Sequence, residues 1–228
     1  MLSDHLVLAG GGHTHALVLL RWAMNPKLKP AGMITLVNQS STTIYSGMFP
    51  GVVAGKYKID EILIDLRSLA SKAGVSFVKA EIRGMDLKKK TLLLAGRPEI
   101  KYSLLSLNIG TKTNLNSNSL IRGDKNLAVP IKPFSKSYEF IVEQDIYKDD
   151  SLAIPFVIVG SGLAGIEIAF SLRKRWSKRN ILLKVKSVRE INKSLFRKLR
   201  ALNIQITDKE PSILYPKLIC TGNKSFDW

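Results

Sequence analysis

The chain has 228 residues, 45% of them hydrophobic and 23% charged, which supports a buried core and excludes disorder as the main state. Its one cysteine, Cys220, excludes an internal disulfide, a redox-active cysteine pair and a cysteine-built zinc site. The net charge of +17 points towards nucleic acid, an anionic membrane face or anionic ligands, and its distribution says more than its sum.

His5-Leu6-Val7-Leu8-Ala9 is an apolar run of strand length that closes on Gly10-Gly11-Gly12. His13 to Met24 carries Ala16, Leu17, Leu20 and Ala23 at helical spacing, and Asn25-Pro26 stops it. Met33 to Val37 follows with a buried-strand pattern, so strand, glycine turn, helix and strand form one βαβ unit. A polar loop, Asn38 to Thr43, leads to Tyr45-Ser46-Gly47-Met48-Phe49-Pro50-Gly51, whose apolar residues read as exposed. Asp65 can cap a short helix ending at Gly74, and Val75 to Val78 is a third strand. Residues 80–108 predict a small antiparallel excursion ending in Leu104-Leu105-Ser106-Leu107-Asn108, turned by Ile109-Gly110-Thr111. Residues 112–135, rich in Asn, Ser and Lys and holding Pro130 and Pro133, read as a linker, and Phe134 to Ile146 as a helix.

The opening grammar then repeats. Ile154 to Val159 is a strand, Gly160-Ser161-Gly162-Leu163-Ala164-Gly165 a turn, Ile166 to Trp176 a helix and Ile181 to Lys186 a strand. A helix from Ile191 to Leu202, a strand at Ile204-Gln205-Ile206 and the run Leu218 to Gly222 close the pattern. Gly10 and Gly160 lie 150 residues apart, which marks a duplicated domain and not a solenoid.

Gly160-x-Gly162-x-x-Gly165 sits between a strand and a helix, the context a dinucleotide fingerprint requires. Gly160 permits the tight turn, Gly162 lets a pyrophosphate approach, and Gly165 lets helix and strand pack closely. The helix N-terminus offers free N–H groups and the positive dipole end to phosphates. A Gly-Ile-Glu-x-Ala run through Glu167 and Ala169 completes the motif. In the first turn Gly10 and Gly12 are in place, but His15 takes the third glycine position and Asn38 the place of the ribose-binding acid. That helix either packs less closely and binds nothing, or His13 and Thr14 add contacts to a pyrophosphate. Asn38 can bond a ribose without the strength of a carboxylate. His13 and His15, two residues apart, do not face each other and have no acidic or cysteine partner nearby, so no metal site is expected.

Between Leu172 and Arg200 stand twelve Lys or Arg and one acid, Glu190, so eleven of the seventeen net charges fall in 29 residues. A solvated helix face is the plain reading. A second is the adenosine end of the second site, where Lys186, Ser187 and Arg189 replace the acid that marks NAD and suit an NADP 2′-phosphate. A third is anionic lipid or nucleic acid, but no nucleic-acid motif accompanies the cluster and nucleic acid is not expected. The N-terminus, Met1-Leu2-Ser3-Asp4, shows no leader pattern and no apolar run is long enough to span a membrane, so a cytoplasmic or membrane-peripheral place is expected.

Two Rossmann-type turns, the first fold closing on Ile109-Gly110-Thr111 and the second on Cys220-Thr221-Gly222, resemble the pyridine nucleotide-disulfide oxidoreductase superfamily. The likeness is to its branch without the disulfide, which holds type II NADH dehydrogenases and sulfide:quinone oxidoreductases. Leu8 to Ala16, Tyr45 to Gly51 and Val129-Pro130-Ile131-Lys132-Pro133 look like the flavoprotein module fused ahead of selenide, water dikinase in some bacteria. The resemblance implies an α/β chain of two Rossmann-like dinucleotide-binding folds, the FAD fold interrupted by the NAD(P) fold. It implies FAD at Gly10, Gly11, Gly12, His13 and Thr14, with Asn38 at the ribose, Ile82 at the adenine, and Gly110 and Thr111 closing the flavin pocket. It implies NAD(P)H at Gly160, Ser161, Gly162, Leu163 and Gly165, with Glu167 near the nicotinamide ribose and Gly222 bordering the site.

The implied division is 1–133 for FAD, 134–153 as connecting segment, 154–222 for NAD(P)H and 223–228 as the start of a return to the first fold. Relatives add a Gly-Asp turn and an interface domain after that point, which this sequence does not carry, so the FAD fold is expected to be incomplete at its C-terminal end. The expected function is NAD(P)H oxidation through a flavin, with a quinone or a partner protein as acceptor. The alternatives are a non-catalytic truncated remnant and a basic binder of polyanions or membrane surfaces.

Overall fold

A computed structural model describes residues 5–113, 128–152, 154–160, 162–209, 218–220 and 224–225. In chain order the elements are β1 His5–Ala9, α1 His13–Met24, β2 Met33–Asn38, β3 Thr42–Ile44, α2 Phe49–Val53, β4 Leu63–Asp65, α3 Leu66–Lys72 and β5 Ser76–Lys79. There follow β6 Ile82–Asp86, β7 Thr91–Leu94, β8 Ile100–Lys101, β9 Leu104–Leu107, β10 Lys112–Thr113, β11 Ala128–Pro130, α4 Phe134–Glu143 and β12 Phe156–Val159. The last are α5 Leu163–Arg175, β13 Ile181–Lys184, α6 Lys193–Ala201, β14 Ile204–Thr207, β15 Leu218–Cys220 and β16 Lys224–Ser225.

These elements form two compact units. Unit 1 takes the chain up to Ser46 and from Ile62 to Gly110; unit 2 takes Gly47–Glu61 and the chain from Thr111 onward. Unit 1 holds a parallel sheet in the order β5-β2-β1-β9 and an antiparallel meander β6-β7-β8. Unit 2 holds a parallel sheet in the order β11-β15-β12-β13-β14. Strands β14, β13, β12 and β15 thus repeat the order of β5, β2, β1 and β9. In unit 2, β11 adds a fifth strand beyond β15, whereas among the described residues nothing pairs beyond β9.

Burial on both faces explains the strand sequences. In β1, Leu8 packs with Ala16 and Leu19 of α1, Leu36 of β2 and Leu66 of α3 on one face. Val7 and Ala9 alternate to the other face, against Val37 and Leu92 of the meander. In unit 2 the whole of β12, Phe156-Val157-Ile158-Val159, is buried, as are Ile181 and Leu183 of β13. Phe156 meets the buried Trp176 edge-on at 4.9 Å.

The structure departs from three expectations. Residues 112–135 are not all linker: Ala128–Pro130 is an edge strand paired with β15, where Pro130 needs no second partner for its missing N–H. Strand β11 and helix α4 pack within unit 2, whose second stretch starts at Thr111. Leu104–Leu107 leaves the antiparallel excursion and lies parallel to β1. Phe49 is not exposed but 1% accessible, and its ring packs at a tilt against that of Phe134, centroids 4.3 Å apart, in unit 2. Residues 114–127, 223 and 226–228, which carry the rest of the linker and of the expected return, lie outside the described residues.

Candidate functional site

Each parallel sheet delivers its first strand into a glycine turn that opens a helix. In unit 1, Gly10 has φ +90° and Gly12 caps α1 in an extended conformation, φ −68° and ψ 174°. In unit 2, Gly160 has φ +127° and Gly162 caps α5 at φ −66° and ψ 167°. The Gly10 N–H donates to the Val37 carbonyl at 2.8 Å and the Gly160 N–H to the Lys184 carbonyl at 2.9 Å. The same backbone device therefore occurs twice, at the carboxyl ends of parallel strands, the place where open α/β sheets bind ligands. Neither cap residue supplies a side chain. Among the described residues, no acceptor meets the N–H groups of His13 and Thr14 in α1 or of Leu163 and Ala164 in α5.

In unit 1 the glycines also answer to the protein itself. A Cβ at Gly10 would lie 2.5 Å from the Asn108 carbonyl oxygen, and one at Gly12 would lie 2.3 Å from Asn108 Oδ1. Asn108, just past β9, accepts from the Gly12 N–H at 3.1 Å through its main chain and from the His15 N–H at 3.3 Å through its side chain. Sequence reasoning missed this residue: its partners lie more than 90 positions away. Gly11 is buried, and a Cβ there would meet Leu66 Cδ1 at 2.1 Å.

His15 does not loosen the helix. It is 2% exposed, with Nδ1 2.6 Å from the Gly10 carbonyl and Nε2 2.8 Å from Ser106 Oγ. A carbonyl only accepts, so Nδ1 carries the hydrogen and Nε2 accepts from the serine. Burial pushes the imidazole below its ordinary pKa, against the Gly10 bond, which raises it. His15 thus ties turn to strand in place of a third glycine.

Asn38 Oδ1 accepts from the Gly11 N–H at 2.8 Å and its Nδ2 donates to the Ser40 carbonyl at 2.8 Å. One lone pair and one N–H remain for another partner. His13 and Thr14 are exposed, and the His13 ring stacks on Tyr45 at 4.7 Å. From that pair a cavity of about 550 Å³ runs between α1 and α3, lined mainly by apolar residues such as Leu17, Leu20, Leu63 and Leu69. Ile82 opens β6 and packs against the meander-side core. Gly110, φ +76°, ends unit 1 in open space, and Thr111 begins unit 2.

In unit 2, Gly165 is buried in the first turn of α5, while Leu163 and Glu167 are exposed. A Cβ at Gly162 would meet no described atom within 4 Å. Ser161 and Gly222 lie outside the described residues.

The plain reading of the basic cluster needs revision: four of its twelve cations are structural. Arg173 donates to the carbonyls of Trp176, Ser177 and Asn203. Arg175 grips the Asp145 carboxylate through Nε at 2.7 Å and through Nη2, and Trp176 Nε1 donates to the same carboxylate at 2.7 Å. Burial pushes the Asp145 carboxyl up, but the Arg175 and Trp176 bonds outweigh it and hold the group below its ordinary value. Arg179, 3% exposed, bonds Gln144 and lies over the Trp176 ring at 4.9 Å. Lys184, 2% exposed, donates to the main-chain carbonyls of Asp208 and Lys209. The other eight are exposed, four of them on α6: Lys193, Arg197, Lys198 and Arg200.

No family model matches the chain. It is 24% identical over 167 residues to the alternative NAD(P)H-ubiquinone oxidoreductase C1, chloroplastic/mitochondrial, of Arabidopsis thaliana, covering 65% of this chain and 31% of that protein. Among solved structures, NADH:rubredoxin oxidoreductase from Clostridium acetobutylicum matches 99% of this chain and 59% of its own, with TM-score 0.71 and 17% identity. NDH2 from Plasmodium falciparum, in complex with NADH, matches 97% of this chain and 55% of its own, with TM-score 0.73 and 13% identity. The chain therefore has the fold of these oxidoreductases and spans less than two thirds of each. Among the described residues no helix is long and apolar enough to cross a membrane.

Proposed function

We propose that the chain is a flavin-dependent NAD(P)H oxidoreductase module, with FAD at the first glycine turn and NAD(P)H at the second. The observation that carries this reading is the twofold occurrence of one turn: a positive-φ glycine, an extended glycine cap and a helix start whose first two N–H groups meet no acceptor among the described residues. An anion is the natural partner of such a terminus, since its N–H groups and dipole both favour negative charge. Two anion-receptive turns on two parallel sheets suit two dinucleotides. The plant relative, named for NAD(P)H and ubiquinone, and the solved neighbours, named for NADH and rubredoxin, support the same reading.

The residues present fit these groups. In unit 1, the N–H groups of His13 and Thr14 would hold the FAD pyrophosphate beside Gly10, Gly11 and Gly12, and the spare valences of Asn38 would meet the adenosine ribose. Ile82 would lie by the adenine, and Gly110 and Thr111 by the flavin. In unit 2, Leu163 and Ala164 would present N–H groups to the second pyrophosphate with Gly160, Ser161, Gly162 and Gly165, while Glu167 would stand near the nicotinamide ribose and Gly222 at the border. When bound, the two cofactors supply the hydride chemistry. The chain's part is to hold each phosphate group at a helix start and to orient the rings. A quinone or a partner protein is the proposed acceptor. The motif likeness extends the proposal to a role beside a selenide, water dikinase module.

The test is retention of flavin. The purified chain is mixed with excess FAD, freed of unbound cofactor and examined by visible absorption. Flavin bands that stay with the protein are expected; a chain that never retains them contradicts the assignment of unit 1.

A further inference from the structure

We infer that the adenosine end of unit 2 selects the 2′-phosphorylated dinucleotide, NADPH, through Lys186 and Arg189. This rests on the proposal that unit 2 holds a nicotinamide dinucleotide.

The duplication supplies the register. Gly10 bonds the carbonyl of Val37 and Gly160 that of Lys184, so Val37 and Lys184 are equivalent positions. The residues that follow them, Asn38 and Val185, are equivalent in turn. In a dinucleotide fold this place holds the residue that meets the adenosine ribose, and a carboxylate there bonds the 2′-hydroxyl of NAD and repels the 2′-phosphate of NADP. Unit 1 keeps a polar side chain at that place. Unit 2 has Val185, fully buried, which can accept no hydrogen bond and carries no charge against a phosphate.

The segment after Val185 is held through its main chain, and its two cations are exposed. Val185 N–H donates to the Thr207 carbonyl at 2.9 Å, Val188 N–H to Asp208 Oδ2 at 3.3 Å and Arg189 N–H to Ser187 Oγ at 3.3 Å. Ser187 therefore braces the turn, and the phosphate-facing role falls to its neighbours. Lys186 and Arg189 are exposed, and among the described residues neither forms an ion pair. The buried Lys184 ties the strand before this segment to the main chain at Asp208 and Lys209. Among the described residues, Asp208 reaches the segment, where one of its carboxylate oxygens accepts from the Val188 N–H. A doubly charged 2′-phosphate at this corner meets a fork and an ammonium on a fixed backbone.

The experiment is calorimetric titration of the full chain with two probes, adenosine 2′,5′-bisphosphate and adenosine 5′-monophosphate. The bisphosphate is expected to bind at least about tenfold more tightly, the scale of one charge-assisted contact. That preference should vanish in Lys186→Ala/Arg189→Ala, with the monophosphate affinity unchanged. Lys186→Glu should reverse it. All three substitutions sit at exposed positions, so the fold is retained. Equal affinity for the two probes in the unsubstituted chain overturns the inference while leaving a dinucleotide site in place. Binding of neither probe overturns the reading of unit 2 itself.

Discussion

Replacing Gly10 by alanine tests the close approach of turn and strand in unit 1, and Gly96→Ala is its control. Both glycines have positive φ, +90° and +63°, but a Cβ at Gly96 meets nothing within 4 Å. An L-residue in the left-handed region costs about 1–2 kcal/mol, and the loss of unfolded-state freedom on removing a glycine returns about 0.4–1 kcal/mol. Gly96→Ala should therefore cost about 1 kcal/mol. At Gly10 the new Cβ would face Asn108 O at 2.5 Å and Ile109 Cα at 2.7 Å, both main-chain atoms that no rotamer change can move. The turn must separate from the end of β9. The Gly12 N–H to Asn108 O bond and the His15 N–H to Asn108 Oδ1 bond then fail, at about 1 kcal/mol each. With the added strain, the total comes to about 3–5 kcal/mol. Urea unfolding followed by circular dichroism reads the difference. At about 2 kcal/mol per molar of urea, the two midpoints should stand about 1–2 M apart. Midpoints that coincide would refute the argument that backbone crowding, and not φ alone, requires glycine at position 10.

Further outcomes follow from the same contacts. His15→Ala removes two buried hydrogen bonds and should lower unfolding stability by about 2–4 kcal/mol in the same assay. Because burial holds the folded imidazole below its ordinary pKa of about 6.5, the stabilising contribution is full above that pH. It is lost as pH falls through the folded value; a stability profile in which His15→Ala leaves this acid-side decline unchanged would remove the assignment. Asp145→Asn should cost about 1–3 kcal/mol through the weakened grip of Arg175. The Asp145 carboxyl titrates below its ordinary value in the fold, so its contribution is present above about pH 3.9 and lost as pH falls through the lowered value. The asparagine variant should show a shallower acid limb. Asn108→Ala, which uncaps the His15 N–H, should cost about 0.5–2 kcal/mol and weaken FAD retention, and unchanged retention would count against the turn as the FAD site.

What could be read in the residues was local. Helix α1 runs from His13 to Met24 as expected, because its start and stop are written in adjacent residues, Gly12 before it and Asn25-Pro26 after it. The Asp65 cap appears as foreseen, its Oδ1 accepting from the Ser68 N–H at 2.9 Å. Position 128 could not be read the same way. A three-residue strand has too short a pattern, and β11 exists through a partner 90 residues later, Ala128 against Leu218. His15 was ambiguous for the same reason: one of its partners, Ser106, is 91 positions distant. Phe49 looked exposed because glycine and proline surround it, yet its burial comes from Phe134 in another element. The basic run misled by its sum, since charge counts do not show that Arg173, Arg175, Arg179 and Lys184 bond inward. Of the candidate site, the two glycine turns were legible; Asn108, which shapes the first, was not.

We propose that this one chain holds both dinucleotides and that the bound NAD(P)H reduces its flavin. The most direct test of this proposal is the anaerobic mixing of the FAD-loaded chain with NADPH or NADH while the flavin absorption is followed. The flavin bands should bleach, faster with NADPH than with NADH, and return on admitting an acceptor. A flavin that stays oxidised with both nucleotides, in a chain that demonstrably retains FAD, would contradict it.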